Sequence, residues 1–271
     1  MQWLDRMRPP SVAVVDLQGM IGPAVRPMDF TRLLARLRED QSVRAVVLNI
    51  DSPGGTAVGS EMIARAVRRL REEKPTAAFI GGIGASGGYM IAASCERIVA
   101  LPSAIVGAIG VISYRPIVHE ALDRLGVQMH VGKSGRLKDM LSPFREPTEE
   151  EREKEQRLLD SLYELFVEGV ASDRGLEPER VREFATGEVY AAADAIERQL
   201  IDDTGDLDDV IDWAAEQAQT PRRVRLVRPR KGLRGLLLGR ASAALVAGLI
   251  TELDSSLPSG GGYALYTGGR T

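Results

Sequence analysis

Residues 79–89 read F-I-G-G-I-G-A-S-G-G-Y and set one hydroxyl, Ser86, between Gly84-Ala85 and Gly87-Gly88. Glycines on both sides let the backbone take conformations closed to other residues and let a foreign main chain come close. The apolar residues before Ser86 read as a strand, and Tyr89-Met90-Ile91-Ala92-Ala93 after it as a helix. Ser86 then falls at a helix start, where unpaired N–H groups and the dipole favour a developing negative charge. A serine so placed suits nucleophilic attack on a carbonyl. The same string also suits a tight turn with a helix cap, so its surroundings must decide between the two.

A second glycine turn, Asp51-Ser52-Pro53-Gly54-Gly55, offers the complementary half of such a site. Pro53 stiffens it and lacks an N–H, while Gly54 and Gly55 expose theirs with no side chain in the way. Together with the N–H of Gly87 they would hold the oxyanion formed when Ser86 attacks. An ordinary Pro-Gly turn is the default for this string in isolation. Two such turns after consecutive buried strands weaken that default.

The base is sought among few residues. Thirty arginines stand against five lysines, so generic surface charge falls to arginine, yet Lys133 and Lys138 share the loop G-K-S-G-R-L-K-D. A desolvated lysine can surrender its proton and then take one from a serine, which arginine cannot do. A solvated loop charge is the ordinary alternative for both. The only histidines, His119 and His130, fall in an expected helix and strand and read as structural, which disfavours a Ser-His-Asp triad.

These residues need a scaffold. Ser11 to Leu17 and Val43 to Ile50 are nearly continuous apolar runs, as in strands covered on both faces. Phe30, Leu33, Leu34 and Leu37 recur at helical spacing, and a further helix is expected from about Val58 to Arg71. Strand and helix alternate through a short strand at Arg97 to Leu101, which argues for an α/β domain with a largely parallel core. Both glycine turns then lie at carboxyl ends of strands, where α/β folds place their chemistry. Farther on come a helix over 116–125 and a strand over 127–131. Thr148 with Glu151 forms a capping-box pattern opening a long helix that ends near Gly175. Helices over 178–184, 191–199 and 207–218 complete the domain.

Composition excludes several classes. With 44% hydrophobic and 27% charged residues the 271-residue chain is that of a globular protein, and a net charge of −3 gives no sign of nucleic acid. One cysteine, Cys95, in an apolar run reads as a buried structural thiol. A single cysteine and two histidines leave almost nothing for a zinc site, so neither metal nor cofactor is expected. The first ten residues are too short and charged for a signal peptide, and no apolar run reaches membrane-spanning length. The expected location is cytoplasmic or peripheral at the membrane.

Five motifs in order, D-S-P-G-G at 51–55, G-A-S-G-G-Y at 84–89, K-S-G-R-L-K-D at 133–139, S-P-F-R-E-P-T-E-E-E-R at 142–152 and G-E-V-Y-A-A-A-D-A at 187–195, resemble the signal peptide peptidase A family. The likeness runs over roughly residues 11 to 213. It implies a ClpP/crotonase-like α/β fold of repeated β-β-α units and a serine protease working through a Ser/Lys dyad. Ser86 would be the nucleophile and Lys138 the general base, with Lys133 in reserve. Gly87 and the Gly54-Gly55 turn would form the oxyanion hole. The resemblance also implies peptide substrates such as signal-peptide remnants and a ring-like homo-oligomer. One position departs: the family commonly carries a hydroxyl where this chain has Ala108, so Ser113, Ser103 or water would have to orient the lysine.

From residue 220 a separate tail is expected. It opens with a basic cluster, Arg222 to Arg234, followed by a mostly apolar stretch over 236–250. An amphipathic helix drawn to anionic lipid and a segment packed on a neighbouring subunit fit it equally. The small and apolar residues at the end, including Ala264-Leu265-Tyr266, resemble a peptide substrate that visits the active site of its own or an adjacent subunit. Two rivals to the protease remain: a catalytically silent scaffold of the same fold associated with membrane proteins, and an acyl-CoA enzyme of the crotonase class, which has no use for a nucleophilic serine.

Overall fold

The computed structural model describes residues 8–229. The valine-rich runs become the centre of one sheet. Strands β1 (Ser11–Gln18), β2 (Val43–Ser52) and β3 (Thr76–Ala85) lie parallel in the order β3-β2-β1. From Ser11 to Leu17 every residue of β1 except Asp16 is buried, which is why alternation is absent from its sequence. The first half of β3 pairs with β4 (Arg97–Ala100) and its second half with β5 (Ile105–Gly107). The short strands β6 (Val189–Ala191) and β7 (Asp203–Thr204) extend β5 and β4.

Helices cover both faces. On one side lie α1 (Pro27–Glu39), α2 (Ala57–Arg71), α3 (Gly87–Ala93) and the second half of α5 (Glu149–Arg174). They bury Leu33, Leu34, Ile63, Val67, Ile91, Phe166 and Val170 against the sheet. The last long helix, α8 (Leu207–Gln217), sets Val210, Ile211 and Ala214 on the other side against Val12, Val47 and Phe79. Smaller helices α4 (His119–Arg124), α6 (Pro178–Phe184) and α7 (Ala192–Glu197) fill the connections. The expected capping box opens α5: Glu151 N–H donates to Thr148 Oγ1 at 3.3 Å and Thr148 N–H to Glu151 Oε2 at 2.8 Å. Gly175 ends the helix in the left-handed conformation, φ 65°.

Helices α2 and α5 are joined by a clamp. Arg68 Nε and Nη2 donate to Asp173 Oδ1 and Oδ2 at 2.9 and 2.7 Å, and the Asp173 side chain is only 2% exposed. An Asp173→Ala variant leaves the guanidinium without its partner, and a loss of about 3 kcal/mol is expected, the low end for a buried pair because Arg68 keeps some solvent. Denaturant unfolding checks it; an unchanged midpoint refutes it.

Two expectations are corrected. Residues 127–131 form no strand, because their alternating V-Q-M-H-V pattern meets no sheet edge, and Val127, Met129 and Val131 are all exposed. The fold also continues beyond residue 219. Val224–Val227 form β8, parallel to β1, so the separate tail cannot begin at 220. Three arginines of the basic cluster are spent on this attachment: Arg222 bonds Asp208 and Asp212, Arg225 bonds Asp40, and Arg228 approaches Asp16 at 3.5 Å. The apolar stretch 236–250 and the substrate-like end lie outside the described residues. Among the described residues no helix is long and apolar enough to cross a membrane.

Candidate active site

Ser86 stands between the last residue of β3 and the first of α3, with φ 51° and ψ −122°. A side-chain-bearing residue is seldom found there, and holding one costs about 1–3 kcal/mol. The surroundings enforce it. Ser86 N–H donates to the Gly107 carbonyl at 2.7 Å, and its own carbonyl accepts from Met90 N–H at 2.9 Å. Ala85 and Gly87 on either side are buried while Ser86 is partly exposed. Its hydroxyl caps no helix N–H, so the plain cap reading fails. A strained strand-to-helix turn that presents a free hydroxyl is the geometry used to hold a nucleophile out toward substrate.

The second glycine turn comes to the same place. Ile21 N–H donates to the Gly54 carbonyl at 2.7 Å and Thr56 N–H to the Ile21 carbonyl at 3.0 Å, which pins the turn to the loop after β1. A Cβ on Gly54, φ 100°, would lie 2.8 Å from both Gly87 N and Ser86 Cβ. One on Gly55 would lie 2.1 Å from the Ile21 carbonyl oxygen. Neither position accepts a side chain, and the two turns touch because of it. The three expected donors differ. Gly54 N–H reaches Ser52 Oγ at 3.2 Å, whereas the N–H groups of Gly55 and Gly87 have no acceptor among the described residues.

Ser86, Gly55 and Gly87 share a cavity of about 610 Å³ between α2 and α5. Val58, Met90, Val111, Ile112, Leu162 and Phe166 give it an apolar wall, and Glu61, Arg65, Arg69 and Glu168 bring charge to its lining.

Neither lysine lines this cavity. Lys138 is exposed, and its amine makes no hydrogen bond or ion pair among the described residues. Lys133 is tied to Asp139 Oδ1 at 2.5 Å, which removes it as a free reserve base in this arrangement. Ser113 donates to Glu155 Oε1 at 2.9 Å and is not free to orient an amine. Ser103 is exposed. Ala108 sits beside Ser86, one residue past the carbonyl that holds it, with φ 50°. His119 and His130 stay out of the cavity. The segment carrying Lys138 exposes Ile112, Tyr114, Leu125, Val127, Met129, Val131 and Leu141.

Two residues of the site were missed in the sequence. Ser60, fully buried in α2, lies under Gly87, where an added Cβ would come 2.0 Å from Ser60 Oγ. Asp51 Oδ1 accepts from Ile83 N–H at 3.0 Å, replacing a ladder bond where the β2–β3 register shifts before Ser86. Its place at the head of D-S-P-G-G was the available signal.

The profile of Peptidase family S49 matches residues 68–220, which include Ser86, Lys138 and the whole of α5. The chain belongs to peptidase family S49. It is a serine peptidase, in keeping with relatives that are named proteases and, in one case, a serine protease. A Synechocystis sp. protein bearing the name "Putative protease slr0021" is 38% identical over 207 residues, 76% of this chain and 74% of that protein. The chloroplastic serine protease SPPA of Arabidopsis thaliana is 30% identical over 243 residues, 86% of this chain but 36% of that longer protein. The fold is shared with a solved membrane-bound stomatin-specific protease, 1510-N, in a mutant form, at TM-score 0.54 and 17% identity, over 83% of this chain and all of that one. The α/β, ClpP/crotonase-like expectation therefore holds.

Proposed function

We propose that the chain is an endopeptidase that cuts hydrophobic, signal-peptide-like segments through an acyl-enzyme on Ser86, with Lys138 as general base. The observation that carries the reading is the strained, uncapped conformation of Ser86 in a cavity with one apolar wall. A neutral Lys138 amine takes the hydroxyl proton as Ser86 Oγ bonds to the scissile carbonyl carbon. The resulting oxyanion is met by the N–H groups of Gly87 and the Gly54-Gly55 turn, with Gly55 the freer donor of that turn. Collapse of the intermediate expels the amine, which takes the proton back from the lysine, and water then hydrolyses the ester by the same route in reverse.

The lysine comes from a second copy of the chain. Its exposure, its absence from the cavity of its own protomer and the apolar residues flanking it support a homo-oligomer in which this segment lies over a neighbour's Ser86. Burial against that neighbour would strip the amine of water and favour its neutral form. Attachment to a membrane surface through residues beyond 229 completes the reading.

A silent scaffold draws its support from Ala108, which offers no hydroxyl to the lysine. A fluorophosphonate probe separates the two: covalent labelling that disappears in Ser86→Ala is expected. Absence of labelling at alkaline pH, together with absence of peptide cleavage, would leave the scaffold.

A further inference from the structure

We propose that Arg145 is the positioning residue for the general base: its guanidinium fixes the loop carrying Lys138 to the first turn of α5. The inference rests on the reading of Lys138 given above. Residues 134–142 have no regular structure beyond local turn bonds, such as Lys138 N–H to the Gly135 carbonyl at 3.0 Å and Ser142 N–H to the Asp139 carbonyl at 2.9 Å. A base delivered to another subunit needs firmer support than this.

Arg145 supplies it with five hydrogen bonds. Nε donates to Asp139 Oδ2 at 3.0 Å and Nη2 to the Asp139 carbonyl at 3.2 Å. Nη1 donates to Glu151 Oε2 at 2.8 Å and to the Glu146 carbonyl at 3.0 Å, while Nη2 also reaches Glu151 Oε1. Glu151, 3% exposed, is immobilised by the capping box, and Asp139 is the residue after Lys138. A second ion pair, Arg136 to Glu150, ties the same loop to the same turn. Only a planar fork with five donors can serve two carboxylates and two carbonyls together; lysine has three donors on one atom.

The network also governs charge beside the base. Hydrogen bonds from Arg145 and then Lys133 hold the Asp139 carboxyl well below its usual range, and those from Arg145 and the Thr148 N–H bring Glu151 to about 2. Both stay ionised wherever a lysine base operates. With Arg145 and Lys133 occupying it, the Asp139 carboxylate is not available to Lys138. Freed from Arg145, it becomes a partner for the neighbouring ammonium and favours its charged form.

Peptide cleavage by the full-length protein, followed from about pH 6 to 10, tests this. Arg145→Gln and Arg145→Lys are expected to lower kcat/KM at about pH 8 at least about tenfold and to move the ascending limb of the profile up by about one pH unit. Asp139→Asn also lowers the rate, but its limb stays at the parent's pH because no carboxylate competes. Loss of rate with an unmoved limb in both Arg145 variants would overturn the proposal, since that is what plain destabilisation does. Should those variants fail to assemble, Asp139→Asn decides: a lower rate with an unmoved limb and an unchanged denaturant midpoint supports the proposal, and an unchanged rate, a lowered midpoint or an upward shift of the limb overturns it. Lys138→Ala is the control for the parent reading: retained activity there refutes Lys138 as base, whatever Arg145 does.

Discussion

Ser86→Ala and Lys138→Ala are each expected to abolish peptide cleavage, and a co-expressed mixture of the two is expected to recover part of it. Removal of a nucleophile or its base is expected to cost about 10⁴- to 10⁶-fold in kcat, with the two losses not adding in the double variant. Recovery follows from the placement of the groups. Each Ser86→Ala copy still carries Lys138, and each Lys138→Ala copy still carries Ser86. If a site draws its serine from one copy and its lysine from the next, random mixing in a closed ring leaves about one quarter of the sites intact. Fluorophosphonate labelling of the mixture should mark only the Lys138→Ala copies, because they alone retain the hydroxyl. The physical ground is the exposure of Lys138: an ammonium in water keeps its proton, and a neighbouring surface must remove the water before it can act as a base. A mixed oligomer that forms but stays inactive would show that the lysine works within its own protomer. The loop over 132–147 would then have to fold inward over the cavity.

How far the sequence foretold this arrangement depends on whether the determining contacts are local. The Val-rich runs identified β1 and β2, since strands covered on both faces have no solvent side to alternate with. The Thr148-Glu151 spacing identified the start of α5, a matter of one helical turn. The glycine spacing marked the Ser86 turn. The strain at Ser86 was not legible, because it depends on Gly107 accepting its N–H from a strand about twenty residues away. Nor was β8: V-R-L-V is too short to signal a strand, and its arginine follows the tail's basic pattern while pairing with Asp40 across the fold. The sequence over 127–131 has a strand's alternation but finds no edge in its own chain, and the same segment leaves its apolar residues in solvent. Arg145 was visible only as part of a motif. Its role emerges from the two carboxylates that converge on it.

Gly54→Ala gives the second large effect. The added methyl would lie 2.8 Å from Gly87 N, 2.8 Å from Ser86 Cβ and 3.0 Å from the Ala85 carbonyl oxygen, and two of these three are main-chain atoms that cannot rotate away. The backbone itself, at φ 100°, is also closed to alanine without strain of about 1–3 kcal/mol. The turn must move, and it can move only against the nucleophile and the first N–H of α3. Displacing an oxyanion donor costs about 10²- to 10³-fold in kcat, so cleavage should fall by that factor with little change in KM. The cavity wall formed by α2 and α5 is untouched, and binding of an apolar peptide to it should survive. Steady-state kinetics alongside binding of a non-cleavable peptide separate the two quantities. A Gly54→Ala protein with normal kcat would mean that the turn stands clear of the reacting carbonyl, and the oxyanion role would pass to Gly87 with some other donor.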